Sequence, residues 1–314
     1  MVQFVVRRLL FTGGVLFLIS LAIFVVTEVL PGDAAYLVLG KDATSEKLAL
    51  LRSQMGLDRP PSERYLGWLG GILQGDWGES MILRRPVWPL LQQRLANSAR
   101  LALLAWPFSV LLGVGLGLAA GLHANRWLDR TISALVLFAV SIPSFVLAVL
   151  LILCFSIWLQ WLPAASMLAA ESDFWSSLRF FILPTLVLTV ISSTEVVRIV
   201  RLSVIDVMHQ DYIRTAKGKG LPAHTLVWHH ALRNALLPAI SVLALNLAFL
   251  LGGVVVVESV FAYPGMGRLL LQAVTQRDLP LLQAVALVSA ALFALINLVA
   301  DLLLFSLNPR LRSL

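Results

Sequence analysis

Charged residues are scarce in this sequence, and cysteine is almost absent. Only 13% of its 314 residues are charged, while 59% are hydrophobic. A soluble domain carries about 25% charged residues, so the composition predicts a membrane protein with several spans. The net charge of +7 does not indicate nucleic-acid binding, because the cations cluster at the ends of apolar runs. The one cysteine, Cys154, excludes an intrachain disulfide.

Motifs of catalysis are also missing. The stretch Gly218-Lys219-Gly220 is no P-loop, because it lacks the spaced first glycine and the Ser or Thr that holds magnesium. Neither HExxH nor GxSxG occurs. We therefore expect a chain that is not an enzyme and binds no cofactor itself. If ATP drives its work, ATP and Mg²⁺ are bound by partner subunits.

Histidine is also rare, and none of the five histidines lies inside an apolar run. His224, His229 and His230 form an HxxxxHH spacing that is not typical of zinc sites, with no cysteine or carboxylate beside it. We predict a contact surface there and no metal site. A bare metal ion crossing the membrane would also lack imidazole ligands, so nickel would cross as a chelate or on oxygen ligands.

Long apolar runs are what the sequence does contain. Each is long enough to cross the hydrocarbon core at 1.5 Å per residue. The first resembles a secretory signal in polarity but exceeds the usual 7–15 apolar residues, so we expect a retained span. Pro107, Pro143 and Pro184 interrupt three runs, and such kinks are tolerated in membranes. The fold class is thus all-α and polytopic, with six predicted spans at 9–30, 99–121, 132–160, 181–200, 236–257 and 281–305.

Loops and cations predict the topology. The polar segment 31–97 contains amphipathic stretches around 45–55 and 62–74 and is expected outside the membrane. We divide the chain into 1–30 (first span), 31–97, a core at 98–307 and a tail at 308–314. The following cations place the short loops and the tail inside, and with them both termini: Arg126, Arg130, Arg198, Arg201, Arg214, Lys217, Lys219, Arg233, Arg310 and Arg312.

Carboxylates near the inner ends of spans are candidates for ion pairs or a gate, because charge is costly in a membrane. Glu195 is expected to pair with Arg198 at i+3 or with Arg201. Asp301 is expected to meet Asn297 or the cations of the tail. In both cases a structural ion pair is favoured over a gate.

Four glycines, Gly113, Gly115, Gly117 and Gly121, are closely spaced in the second span. They include GxxxG, a spacing that lets two helices approach closely. We favour packing within one subunit over a dimer interface.

Residues 211–240 form a basic island between two apolar runs. Gly220 suits a helix end with positive φ, and Pro222 suits the first turn of a following helix. Leu226, His229 and Arg233 share one face of that second helix, and we expect this face to meet a partner. The sequence predicts two short helices joined at Gly220; a simple basic anchor is the alternative.

This island resembles the cytoplasmic EAA loop of permeases of binding-protein-dependent ABC importers, in the peptide and nickel branch. Arg214, Thr215 and Ala216 stand where Glu-Ala-Ala is usual, Gly220 is the fixed glycine, and Leu237-Pro238 closes the pattern. The resemblance implies a coupling loop at 201–237 that contacts the ATPases. Its expected coupling residues are Asp211, Tyr212, Arg214, Thr215, Ala216, Lys217, Gly220, His230, Arg233, Asn234 and Pro238.

A second stretch, residues 258–280, contains aromatic residues, a tight Pro-Gly turn and a short amphipathic helix. It is similar to the FxxPGxGR…RDxP pattern of the same branch, which implies an outer gate next to the docking site of the binding protein. A surface turn is the alternative, and Glu258 is expected to be solvated. The implied residues are Phe261, Tyr263, Pro264, Gly265, Gly267, Arg268 and Asp278.

The resemblance implies a six-helix permease in the inner membrane of a prokaryote, forming half of a pathway for dipeptides or oligopeptides. Its implied partners are a second permease, two cytoplasmic ATPases, an extracytoplasmic binding protein and membrane lipid, with no nucleic acid. A nickel or metal-chelate permease of the same branch is the alternative cargo. A secondary transporter is the alternative class, although paired intramembrane charges and inverted repeats are not evident.

Overall fold

The computed structural model describes residues 2–29, 44–54, 58–167 and 174–307. These residues are predominantly helical; among them only an isolated bridge, Glu79 with Pro86, is of β type. The α-helices are α1 (Val2–Val29), α2 (Ser45–Gln54), α3 (Pro61–Leu73), α4 (Val87–Leu122), α5 (Trp127–Ser141), α6 (Ser144–Leu151), α7 (Phe174–Met208), α8 (Asp211–Gly218), α9 (Leu237–Leu251), α10 (Val255–Val260), α11 (Met266–Thr275) and α12 (Leu279–Leu307).

Two π-helical stretches complete the secondary structure. The first, Ile152–Trp158, continues α6. The second, Leu226–Ala231, lies between the short α-helical pieces Ala223–Thr225 and Leu232–Ala235. We call these three consecutive pieces the 223–235 helix.

Five of the described helical segments are long and apolar enough to cross a membrane: Val5–Glu28, Val87–Leu122, Ser177–Met208, Leu237–Val260 and Leu279–Ser306. The span predicted at 132–160 is instead two helices, α5 and α6 with its π-helical continuation, bent by 98°. The bend follows from Pro143, which holds Ile142 in an extended conformation and ends α5. Counted as one span, this broken pair makes six.

The segment predicted at 31–97 contains α2 and α3 where amphipathic stretches were expected. It ends at Pro86, since α4 already begins at Val87. Residues 31–43 and 55–57 lie outside the described part of the chain. α3 packs on α1 through Tyr65, whose hydroxyl shares a 2.8 Å hydrogen bond with Ser20 and whose ring meets Phe24 edge-on.

α1 and α12 pack antiparallel. Arg8 Nη1 lies 3.1 Å from Asp301 Oδ2 at one end, and Gln283 donates to Thr27 across 2.8 Å at the other. Asn297, one of the two predicted partners of Asp301, donates instead to the carbonyl of Phe293 in its own helix, so that part of the prediction was wrong. Pairing with the cations of the tail stays a prediction. Arg310 and Arg312 lie outside the described residues. The start of α1 and the end of α12 thus lie at the same end of the bundle.

α4 and α7 form the most extensive helix pair and run parallel. Gly113, Gly117 and Gly121 face Val196, Val200 and Val204 in register. A Cβ added at these glycines would lie 2.5, 2.7 and 2.7 Å from the respective valine Cβ. The predicted packing role of this glycine run thus holds within one chain, with Gly115 facing open space.

The two ends of the bundle carry different structures. The end where α7 stops and α9 starts holds α8 and the 223–235 helix; we call it the coupling end. At the opposite end, the start of α4 packs against α11 and the start of α12 through Leu91, Leu269 and Leu281. Because α4 runs from one end to the other, it connects the two regions that the sequence singled out.

Candidate functional site

The loop predicted to contact the ATPases contains the predicted two-helix corner. α8 ends at Gly218, and Gly220 follows with a φ of 74°. Its backbone N–H donates to the carbonyl of Lys217 across 2.9 Å, and the carbonyl of Pro222 accepts from Leu226 N–H across 3.1 Å. A left-handed glycine therefore closes the first helix, as the sequence predicted. Pro222 lies immediately before the second helix, which begins at Ala223, and not within its first turn.

α8 has one buried face and one exposed face. Ile213 and Ala216 are buried against the rest of the chain. The Asn234 amide donates to the Tyr212 hydroxyl across 2.9 Å and links α8 to the 223–235 helix. Except for buried Ala216, the predicted coupling residues of α8 are exposed: Asp211, Tyr212, Arg214, Thr215 and Lys217. The outer face of α8 is thus polar and accessible to a partner.

The 223–235 helix is packed by small and aliphatic side chains, with Leu226, Ala231 and Ala235 buried. Leu226, predicted on a partner-facing side, therefore points into the chain. The side chains of His229, His230 and Arg233 lie outside what the structure describes. Pro238, which is exposed, stands in the first turn of α9 as predicted.

Trp228 is an unpredicted feature of this helix. Its indole is 62% exposed. Large aromatic side chains are enriched at protein interfaces. A tryptophan inside a basic, polar stretch is the sequence signal that indicates such an exposed aromatic contact.

A partly buried ion pair joins two helices, α5 and α7, at the coupling end. Arg201 binds Asp129 with both ends of its guanidinium, Nε to Oδ1 at 2.5 Å and Nη2 to Oδ2 at 2.8 Å. Asp129 also accepts from the backbone N–H of Asn125 across 2.8 Å. The expected pairing of Arg201 with Glu195 was therefore wrong, since the partner comes from α5, far away in sequence.

At the opposite end, Glu258 organises the predicted outer segment. Its carboxylate is buried and accepts from the Ser98 hydroxyl at 2.8 Å and from the Arg268 backbone N–H at 2.9 Å. Ser98 Oγ in turn accepts from Met266 N–H across 2.8 Å. The expectation of a solvated Glu258 was wrong, because the chain folds the 258–268 turn back over it.

Glycines make that fold possible. Gly253 has a φ of 95°, and a Cβ there would collide with the backbone nitrogen of Gly267. A Cβ on Gly265 would collide with the Glu258 carboxylate. Glycine is therefore required at position 265, where the backbone lies against the Glu258 side chain. It is also required at position 267, where the backbone lies against that of Gly253 and Val255.

The remaining predicted outer-gate residues also hold this segment in shape. Tyr263 donates to the carbonyl of Asn97 across 2.7 Å, and its burial beside Glu258 raises the pKa of its phenol. The Asp278 carboxylate is buried and accepts hydrogen bonds from the Ser80 hydroxyl and, at 3.3 Å, from the Met81 backbone N–H. Phe261 is fully buried. These three side chains cannot touch a docked protein directly, so any docking role would act through the shape of the segment.

Pro264 and Arg268 are only partly buried and line a pocket of about 250 Å³ together with Arg94 and Asn97. Arg268 also donates to the carbonyl of Ala262 across 2.6 Å. Of the predicted outer residues, these two are accessible to another molecule.

Between the two ends lies a central cavity of about 530 Å³. Four helices contribute to it: α5, α7, α9 and α12. Glu195 and Arg198 both line it, next to Asn246. Within the described part of the chain neither charged side chain has an ion-pair or hydrogen-bond partner, so the expected pair between them is not formed. No pattern in the sequence indicated this cavity.

Known proteins resemble the chain over its whole length. Residues 113–313 match the model of the binding-protein-dependent transport system inner membrane component, and residues 1–102 match that of the N-terminal part of such membrane components. The chain is 39% identical to the glutathione transport system permease protein GsiC of Salmonella choleraesuis strain SC-B67 over 312 residues, 99% of each chain. The same-named protein of Escherichia coli K12 is 38% identical over 312 residues, again 99% of each.

A solved structure resembles the fold. The inward-facing MetNI methionine ABC transporter superposes with a TM-score of 0.56, covering 70% of this chain and 96% of that chain. The two are 20% identical in sequence, so this likeness concerns the fold alone.

Proposed function

Since the chain belongs to the family of binding-protein-dependent transport system inner membrane components, we propose that it forms half of a pathway importing glutathione or similarly small peptides. It is a permease subunit of an ABC importer and a multi-pass protein of the inner membrane. The cargo is proposed from the GsiC relatives, which match the chain from end to end. Dipeptides and oligopeptides remain within the same chemical class.

We propose that ATP hydrolysis is coupled to transport at the two-helix corner. Two cytoplasmic ATPase subunits bind and hydrolyse ATP with Mg²⁺, and one of them contacts α8 and Trp228. A push on α8 reaches the membrane through α7, which runs directly into the corner and is clamped to α5 by the Arg201–Asp129 pair. Because α7 also packs closely along α4, the two helices move as one body and can open one end while closing the other.

The orientation follows from this role. The coupling end faces the cytoplasm, together with the start of α1 and the end of α12. The opposite end, with α10 and α11, faces the extracytoplasmic binding protein. A second permease covers the side of the bundle where Phe249 and Phe293 are exposed next to the central cavity.

A nickel cargo has less support. The described lining of the central cavity holds one carboxylate, Glu195, and neither histidine nor cysteine. Divalent nickel prefers imidazole or several oxygen ligands. A metal ion would therefore have to cross as a chelate.

The test is reconstitution. The chain should be purified with its second permease and two ATPases, placed in liposomes, and given the binding protein with labelled glutathione, a dipeptide or nickel. The proposal predicts ATP-dependent uptake of glutathione or a peptide that requires the binding protein. Uptake driven by an ion gradient without ATPases would favour a secondary transporter and contradict the proposal.

A further inference from the structure

The central cavity lies midway along the bundle. Phe293 is near the middle of α12, and Leu245 and Phe249 are in the middle and last part of α9. Apolar side chains make up most of its wall. A charged group in such a place costs about 2.5–3.5 kcal/mol on insertion scales, so its presence calls for a role.

Two charged groups of opposite sign are found there. Glu195 and Arg198 lie three residues apart on α7, so they share a helix face and are separated by about 4.5 Å along the axis. Both side chains are exposed to the cavity. Within the described residues they make neither a hydrogen bond nor an ion pair with each other or with a third group.

The contrast with the next arginine on the same helix is informative. Arg201 is held by a bidentate pair with Asp129, as expected for a structural charge. Arg198 and Glu195 lack such partners although they lie beside each other. Their hydrogen-bonding capacity is therefore available to a molecule in the cavity.

We infer that Glu195 and Arg198 bind the ammonium and carboxylate groups of a zwitterionic cargo as it crosses. Arg198 offers a planar guanidinium that matches a carboxylate, and Glu195 offers an acceptor for an ammonium group. The Asn246 amide lies in the same wall, and the rings of Phe249 and Phe293 supply apolar surface. This inference rests on the proposed import of small peptides.

The dimensions suit such a cargo. An extended peptide spans roughly 3.3–3.6 Å per residue, so the charged ends of a dipeptide or tripeptide can reach two flexible side chains on successive turns. A volume of about 530 Å³ also falls within the roughly 300–1,000 Å³ range of small-molecule sites. Opposite charges at one wall orient the cargo and disfavour ions of a single sign.

The test uses the complete reconstituted importer with three variants: Glu195→Gln, Arg198→Gln and the exchange Glu195→Arg with Arg198→Glu. Matched controls are Glu63→Gln and Arg130→Gln, both at exposed positions away from the cavity. The cargoes are glutathione and the same molecule with its amino group acetylated. Each is supplied at a concentration that saturates the binding protein, as established by direct titration.

We expect at least a tenfold loss of glutathione uptake in each cavity variant. The rate of ATP hydrolysis stimulated by the binding protein should stay within twofold of the wild-type rate. The effect of Glu195→Gln should vanish for the acetylated cargo, which has no ammonium group. The exchange variant should stay impaired, because two groups that bind an oriented cargo do not restore each other when swapped.

Two results would overturn the inference. Normal uptake by both single variants would show that the charges do not bind cargo. Recovery in the exchange variant would show that the two residues act as an ion pair or gate. If instead the wild-type complex moves no peptide at all, the proposed function itself fails, and that outcome is visible before any variant is made.

Discussion

Replacing Gly113 with alanine tests the close packing of α4 on α7. The new Cβ would lie 2.5 Å from Val196 Cβ and 2.6 Å from its Cγ1, far inside normal contact. Gly115 provides the matched control, because a Cβ there meets nothing within 4 Å. Both substitutions change helix propensity by the same amount, so the difference in stability between the two variants isolates the packing effect.

Overpacking of this kind costs about 1–3 kcal/mol. At roughly 2–4 °C per kcal/mol, the unfolding midpoint of Gly113→Ala should fall about 2–12 °C below that of Gly115→Ala. The measurement is a thermal unfolding series in mild detergent on the purified complex. Equal midpoints for the two variants would refute the claim that α4 and α7 pack through these glycines.

Three further substitutions test the coupling end and the outer segment. Gly220→Val should abolish coupling of ATP hydrolysis to uptake while the protein stays in the membrane, since a β-branched residue is strained at a φ of 74° by about 1–2 kcal/mol or more. Asp129→Asn should lower the free energy of unfolding by roughly 1–3 kcal/mol, because Arg201 loses its charged partner. Glu258→Gln should destabilise the chain by a similar amount, roughly 1–3 kcal/mol, and speed proteolysis of residues 252–278, because an amide NH₂ replaces an acceptor facing buried donors.

Controls for these variants are available on the same chain. Gly218→Val changes a neighbouring glycine without positive φ and should keep uptake. Equal loss of uptake in Gly218→Val and Gly220→Val would show that side-chain volume, not backbone strain, causes the loss. Asp206→Asn and Glu63→Gln alter exposed carboxylates and should leave unfolding unchanged. Wild-type stability in Asp129→Asn or Glu258→Gln would contradict the structural roles given to those buried groups.

Local patterns in the sequence predicted the features that depend on local chemistry. Apolar run length located the spans, and the Gly220 and Pro238 positions located the ends of α8 and the start of α9. The glycine spacing at 113–121 predicted a helix contact because only small residues permit such an approach. In each case the determining residues lie within one helical stretch, where hydrophobic periodicity and residue size are enough to predict the structure.

Features that depend on distant partners could not be predicted in this way. Arg201 finds Asp129 on another helix, and Glu258 is buried because Ser98 and Arg268 meet around it. Their sequence neighbours contain no trace of those contacts, so a nearby partner or solvent was the natural expectation. The 98° bend at Pro143 was predicted only as a kink, since proline indicates an interruption but not its angle.

The most direct test of the central claim is site-specific cross-linking of the coupling loop to an ATPase subunit. Cys154 is the only native cysteine, so a Cys154→Ser background allows single cysteines at Lys217→Cys on α8 and Thr275→Cys on α11. Both positions are exposed, and they lie at opposite ends of the bundle. If the coupling loop contacts an ATPase, Lys217→Cys cross-links to that subunit, with a yield that changes on ATP binding, while Thr275→Cys does not. Cross-linking from Thr275→Cys alone, or from neither position in an intact complex, would contradict it.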